Sequence, residues 1–293
     1  MNPSEPFPSD FIEPLARAAD RLGLFARQML WYPDVPSTND LAAALAEGGA
    51  REGCVVVANA QSVGRGRQGR TWVSPPGAGL YVSTVLRPAE YAVPLLTIAA
   101  GVAVADGIHA ATGLAPDLKW PNDVFIGGRK VAGVLAEASS SAAGDDLPPP
   151  PRLPRAAGAR SAKAGQVGPS RGIEYVVLGF GINVMPAVYP AEVAIRATNL
   201  EEELGRAVDR GLLLAECLCG VAARYGDLQR GRSHAVVAAW RRRAASMLGR
   251  RVQWNAAGGA IEGVADDIDH TGALLVRTHT GLARVTAGEV RWV

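Results

Sequence analysis

Gly64-Arg65-Gly66-Arg67-Gln68-Gly69-Arg70-Thr71-Trp72-Val73-Ser74-Pro75-Pro76 is the stretch on which the fold turns. It follows Cys54–Ala58, a β-branched run that reads as a buried strand, and it formally contains G-x-G-x-x-G. A dinucleotide-binding crossover would need the last glycine to open a helix whose N-terminus receives a pyrophosphate. Here two adjacent prolines follow, and residues 80–86 return to strand, so no helix starts. The chain runs from strand to strand, and a doubly wound parallel sheet is set aside.

Downstream, residues 94–113 read as a buried helix opened by proline and closed by glycine. Residues 118–120, the Pro121-Asn122-Asp123 turn, residues 124–126, Gly127-Gly128 and residues 130–138 then read as β-hairpins. Another strand, Ile173–Asn183, follows residues 139–172. That intervening stretch is Ala, Gly, Pro and Ser with scattered basic residues and no aromatic, so it reads as a flexible insertion in a hairpin. Residues 206–224 and 235–247 read as helices. From Arg250 the apolar period becomes two, as in Val252 and Trp254 or Val290 and Trp292, which predicts a small all-β module over 249–293. Upstream, residues 10–30 have helical spacing within an N-terminal segment, 1–30. Ser37-Thr38-Asn39-Asp40 then opens a short helix stopped by Gly48-Gly49.

A formal charge of +2 gives no global attraction to nucleic acid or anionic membrane. No sequence run approaches the roughly 18–20 apolar residues of a membrane span, and residues 1–10 lack a basic and apolar leader pattern. The cytoplasm is the expected location. Cys54, Cys217 and Cys219 give neither a disulfide framework nor a metal set, and His109, His234, His270 and His279 have no ligand spacing.

The chemistry therefore falls to cations. Glycines let backbone approach a ligand closely, and arginines offer fork-shaped donors to phosphate and carboxylate. A solvated basic turn is the plain alternative. Lys119 ends a short strand before Pro121-Asn122-Asp123, and Lys130 opens Lys130-Val131-Ala132-Gly133-Val134-Leu135-Ala136-Glu137. If these strands pair, both lysines lie near one end of the sheet, flanked by apolar residues, with Gly133 leaving room beside them.

Ser37-Thr38-Asn39, the Gly64 to Trp72 loop, Lys119-Trp120-Pro121-Asn122-Asp123, Arg129-Lys130-Val131-Ala132-Gly133 and Gly181-Ile182-Asn183 occur in the order seen in biotin–protein ligases. Gly272-Ala273-Leu274-Leu275 and Gly288-Glu289-Val290 resemble that family's terminal domain. The resemblance covers 31–293 apart from the insertion. It implies an α+β fold: a mixed, largely antiparallel sheet packed with helices, akin to class II aminoacyl-tRNA synthetases, in a catalytic domain over 31–248. An SH3-like β-barrel would complete the chain.

It also implies that biotin and MgATP give biotinyl-5′-adenylate, from which a lysine of an apo biotin carboxyl carrier protein takes the biotinyl group. By resemblance, Ser37, Thr38, Asn39 and Gln61 hydrogen-bond the ureido ring, helped by the backbone of Gly64, Arg65, Gly66 and Arg67. Trp72 walls the biotin pocket. Arg65, Arg67 and Arg70 handle carboxylate and phosphates and fold over the adenylate, while Lys119 and Lys130 sit at the carboxylate–phosphate junction. Gly133 gives the ligand room, Asn122 and Asn183 serve the nucleotide, with Asn183 at adenine, and Asp123 holds Mg²⁺. Trp120 reads as core.

No helix-turn-helix pattern precedes Trp31, so a ligase without DNA binding is expected. No membrane is required, and a homodimer stays open. The nearest rival, a lipoate or octanoate ligase, has no ureido group to recognise, which favours biotin given Ser37-Thr38-Asn39. A nucleic-acid-binding role for the Gly-Arg loop is the rival of another class.

Overall fold

The computed structural model describes residues 4–140, 173–256 and 259–293. The elements run α1 (Ser9–Arg17), α2 (Ala19–Leu22), a 3₁₀ turn, β1 (Gln28–Tyr32), α3 (Thr38–Glu47), β2 (Cys54–Ala58) and β3 (Gly79–Leu86). A second 3₁₀ turn leads into α4 (Leu96–Thr112), followed by β4 (Asp117–Lys119), β5 (Asp123–Ile126), β6 (Arg129–Ser140) and β7 (Ile173–Asn183). Then come α5 (Ala191–Ala194), α6 (Leu200–Leu204), α7 (Arg210–Gln229) and α8 (Ser233–Arg243). The last strands are β8 (Arg251–Ala256), β9 (Gly259–Ile268), β10 (Leu274–Thr278), β11 (Gly281–Val285) and β12 (Val290–Trp292).

Seven strands form one sheet in the order β1-β2-β3-β7-β6-β5-β4. Only β1 and β2 pair in parallel, and α3 supplies the crossover that a parallel pair needs. The other pairings are antiparallel, giving the mixed, largely antiparallel sheet expected. Its two faces bury different partners. One packs against α3 through Val56, Val85, Val177 and Ala42; the other packs against α4 and α7 through Val82, Leu178, Phe180 and Leu214.

α4 is apolar on nearly every side because sheet and α7 enclose it. By length and composition Glu90–Thr112 suffices to cross a membrane, contrary to the reading that no run does, yet 72% of its most apolar window is buried inside the fold.

Some element boundaries differ from the sequence reading. Residues 10–30 are not one helix: α1 ends at Arg17 and Gln28–Tyr32 is an edge strand beside β2. The helix read over 206–224 starts later, at Arg210, because Asp209 caps it by accepting from the Leu212 N–H at 2.8 Å. The next helix is Ser233–Arg243 rather than 235–247, and Pro94 lies in the 3₁₀ turn before α4. The insertion read over 139–172 lies outside the described residues, except Ser139 and Ser140, which extend β6.

β8 to β12 form a second antiparallel sheet in the order β11-β10-β9-β8-β12, consistent with the SH3-like module. Its apolar face, with Val252, Ile268, Leu274 and Val276, continues the same core as α4. Trp120 joins the two units. It is buried, and its indole N–H donates to the Gly272 carbonyl at 2.8 Å. The core reading of Trp120 holds, and truncating so buried an indole costs about 3–5 kcal/mol.

The turn before β10 is organised by Asp269. Its carboxylate accepts from the Thr271 hydroxyl at 2.7 Å, the Thr271 and Ala273 amides at 2.8 and 3.1 Å, and Arg284 at 2.5 Å. Burial alone would raise its pKa. The hydrogen bonds from Thr271, Arg284 and the Ala273 amide outweigh that and hold the carboxyl well below the usual carboxylate range. A folded-state pKa below the unfolded value of about 3.9 stabilises fully above that pH and is lost as pH falls beneath it. Melting curves from pH 7 to 2.5 should therefore show a Tm drop below about pH 4 that is smaller in Asp269→Asn. Identical pH slopes in both proteins would refute this role.

Candidate active site

Ser37 accepts from the Asp40 amide and caps α3, an interaction worth about 1 kcal/mol, so the first turn of α3 points down at the sheet. Asn39 and Thr38 are buried there. The Thr38 N–H donates to Gln61 Oε1 at 2.9 Å, and Gln61 Nε2 donates to Ser74 Oγ at 2.9 Å. Asn39 Oδ1 accepts from the Ser83 hydroxyl at 2.6 Å, while its Nδ2 donates to Glu137 Oε2 at 2.8 Å. Ser83 Oγ also lies 2.8 Å from Thr38 Oγ1. The result is a connected polar floor.

Register explains why these side chains can lie flat. Ser83 opposes Gly179, Tyr81 opposes Gly181, and Gly181 opposes Gly133, so one face of β7 carries no side chain where α3 and the loop descend. A Cβ at Gly179 would collide with Asn39 Oδ1, and one at Gly181 would lie 2.5 Å from Trp72 Nε1. Trp72 Nε1 is buried, with no hydrogen-bond partner among the described residues. An unsatisfied buried donor costs about 1–3 kcal/mol, which a ligand acceptor would relieve. Thr38, Asn39, Gln61, Trp72, Gly179 and Gly181 line a pocket together with Ser37, Arg65, Lys130 and Gly133.

A second chamber adjoins the first and is lined by Arg67, Arg70, Lys119, Asp123, Lys130 and Glu289. Gly66, Arg67, Trp72, Asn122 and Lys130 border both. The β5–β6 hairpin brings Lys130 Nζ to 2.6 Å from Asp123 Oδ1, and the ammonium lies 5.2 Å from the centre of the Trp72 ring. Arg67 donates to Asn122 Oδ1 at 3.2 Å; burial lowers its pKa, opposed by Asp123. Lys119 stacks 4.9 Å from Trp292 and 5.8 Å from Phe125, and burial lowers its pKa, opposed chiefly by Asp123 and Glu289. The first pocket has an uncharged polar floor with Arg65, Arg67 and Lys130 among its lining, and the second is lined by four cationic side chains.

Several expected residues lie elsewhere. Asn183, expected at adenine, is buried and donates to the Thr198 carbonyl at 3.0 Å; it lines neither chamber. Arg65 pairs with Asp40 and Glu137 and lines the first pocket, not the cationic chamber. Arg70 lines that chamber but reaches to the second module, where Glu289 Oε2 lies 2.5 Å away. The space beside Gly133 is taken, because Trp72 and the Lys130 stem lie 3.1 and 3.3 Å from where its Cβ would stand. Asp123 is engaged by Lys130, and no group of three or more Asp, Glu, His or Cys side chains able to hold a metal occurs among the described residues. These residues do not fit a protein-built Mg²⁺ site.

Ser74, Ser83, Glu137, Gly179, Glu289 and Trp292 were missed. A hydroxyl inside the buried strand at Ser83 and the Gly179-x-Gly181 alternation were readable signals. Glu289 and Trp292 had none, since only tertiary packing brings the last strand to the chamber.

Comparison with known proteins follows the same lines. Residues 31–145 match the model of the Biotin/lipoate A/B protein ligase family, and 247–291 that of the Biotin protein ligase C terminal domain. The chain is 32% identical to the Biotin--[acetyl-CoA-carboxylase] ligase of Mycobacterium tuberculosis over 90% of this chain and 88% of that one. It is 30% identical to the Bifunctional ligase/repressor BirA of Bacillus subtilis over 94% of this chain and 78% of that one. The biotin protein ligase from Aquifex aeolicus, solved in complex with biotin and ATP, is similar with a TM-score of 0.71. Identity there is 26%, covering 91% of this chain and 99% of that one. With both family models matched and relatives at least 30% identical over 78% and 88% of their own length, the chain belongs to the biotin protein ligase family.

Proposed function

We propose that this chain joins biotin and ATP into biotinyl-5′-AMP and then transfers biotin to a lysine of a biotin carboxyl carrier protein. The observation that carries this reading is the shared wall, where Arg67 and Lys130 border both a pocket with an uncharged polar floor and a cationic chamber. Biotin would take the first, its ureido ring against Thr38, Asn39 and Gln61, and the nucleotide the second.

A carboxylate is ionised at pH 7, so adenylation needs no general base. The barrier is repulsion between two anions. A carboxylate oxygen attacks the α-phosphorus, the bond to the β-phosphate oxygen breaks, and pyrophosphate leaves with the electron pair. Arg67 and Lys130 would offset the charge on the attacking carboxylate and α-phosphate, and Lys119 and Arg70 that on the departing pyrophosphate. In the second step the neutral carrier amine attacks the acyl carbon, the bond to AMP breaks, and the amine sheds its proton to solvent. Mg²⁺ belongs to the nucleotide substrate in this scheme. The reading places the enzyme in the cytoplasm and requires neither DNA nor membrane.

The test is ATP-dependent transfer to an apo carrier domain, read as the mass increase of one biotinyl group on its lysine. Absent transfer, or pyrophosphate exchange driven by lipoate in preference to biotin, would overturn the reading.

The Arg70–Glu289 pair carries its own prediction. It is partly exposed, so its worth to stability is about 0–1 kcal/mol, but it closes one side of the nucleotide chamber. Glu289→Ala, which releases the Arg70 guanidinium from its fixed place, should raise KM for ATP about threefold with KM for biotin unchanged. Equal rises in both KM values would argue against it.

A further inference from the structure

Among the polar groups around the first pocket, Glu137 stands out because its two oxygens do separate jobs. It lies on the face of β6 that also presents Gly133 and Leu135, and its side chain is one-third exposed. Oε2 accepts from Asn39 Nδ2 at 2.8 Å, and Oε1 pairs with Arg65, which is tied in turn to Asp40 on α3. The carboxylate is thus anchored by the Gly-Arg loop while it contacts the floor.

The consequence lies in the Asn39 amide. Its oxygen and nitrogen are nearly the same size, so hydrogen-bond partners decide which way it faces. Ser83 contacts it at 2.6 Å but cannot decide, since a hydroxyl can donate or accept. An ionised carboxylate only accepts, so Glu137 admits the amide nitrogen and rejects the oxygen. Asn39 lines the pocket and is 6% exposed, so a flip would exchange donor for acceptor at the wall. A ureido group has one acceptor oxygen and two donor N–H groups, and reversing a wall group replaces attraction by repulsion.

We propose that Glu137 is a positioning residue that fixes the amide orientation of Asn39 and so sets which hydrogen bonds the pocket offers to biotin. The proposal rests on the reading that this pocket takes biotin. Glu137→Gln keeps size but can both donate and accept, which frees the amide to flip. It should raise KM for biotin about tenfold, with kcat and KM for ATP changed less than twofold. On an Asn39→Ala background there is no amide to orient, so the same substitution should change KM for biotin less than twofold.

Calorimetry of biotin with the unaltered protein comes first. Absent binding would remove the pocket reading and this role with it. If biotin binds, a Glu137→Gln protein with normal KM for biotin overturns the positioning role alone. So does an equal tenfold rise on the Asn39→Ala background.

Discussion

Lys130→Ala is expected to slow biotinyl-adenylate formation by about 100-fold or more, the largest loss at any single position here. Lys130 is the lysine that borders both chambers, and its ammonium is held by Asp123 and lies over Trp72. If the barrier is repulsion between carboxylate and phosphate, a fixed charge at their meeting point acts on the rate more than on binding. Pyrophosphate exchange at saturating biotin and ATP measures that step. Exchange within a few-fold of normal would remove Lys130 from the mechanism. A loss caused only by leaving Asp123 without its partner would be restored by adding Asp123→Asn to Lys130→Ala, whereas exchange is expected to stay low in the double variant.

Gly181→Ala should weaken biotin binding by about 100-fold at little cost to the fold. The new methyl carbon would stand 2.5 Å from Trp72 Nε1, and β7 is held between β3 and β6, so the indole must move rather than the strand. Trp72 belongs to the loop, and lifting it spoils the slot against the sheet. Forcing one methyl group into a packed place costs about 1–3 kcal/mol, so Tm should fall by only a few degrees. Calorimetry beside a melting curve separates the two effects. Binding within fivefold of normal would mean that Trp72 does not wall the pocket.

How far such features were legible depends on the range of the interactions that make them. Cys54–Ala58 could be read to the residue because it is a continuous apolar run between Gly53 and Asn59, and Ile173–Asn183 because its β-branched and aromatic residues stand out from the Ala, Gly, Pro and Ser before it. Residues 10–30 misled because Phe25 and Met29 fit helical spacing, whereas Gly23 at φ +56° ends the helical stretch and pairing with β2 makes Met29 part of a strand. In the site, Lys119, Lys130, Arg67 and Trp72 announced themselves by type and setting. The partners of Arg65 and Arg70 did not: Glu137 lies 72 residues from Arg65, and Glu289 lies 219 from Arg70. Asn183, a polar residue in a telling motif, donates its amide to the Thr198 carbonyl, a contact the sequence did not announce.

The wall common to both chambers has a pharmacological corollary. A single molecule with a bicyclic urea head and a nucleoside tail, joined by a bridge that cannot be hydrolysed, would span both compartments past Arg67 and Lys130. Once the head is seated, the tail meets its own compartment at an effective concentration in the millimolar range or above. Such a compound should compete with either natural substrate alone.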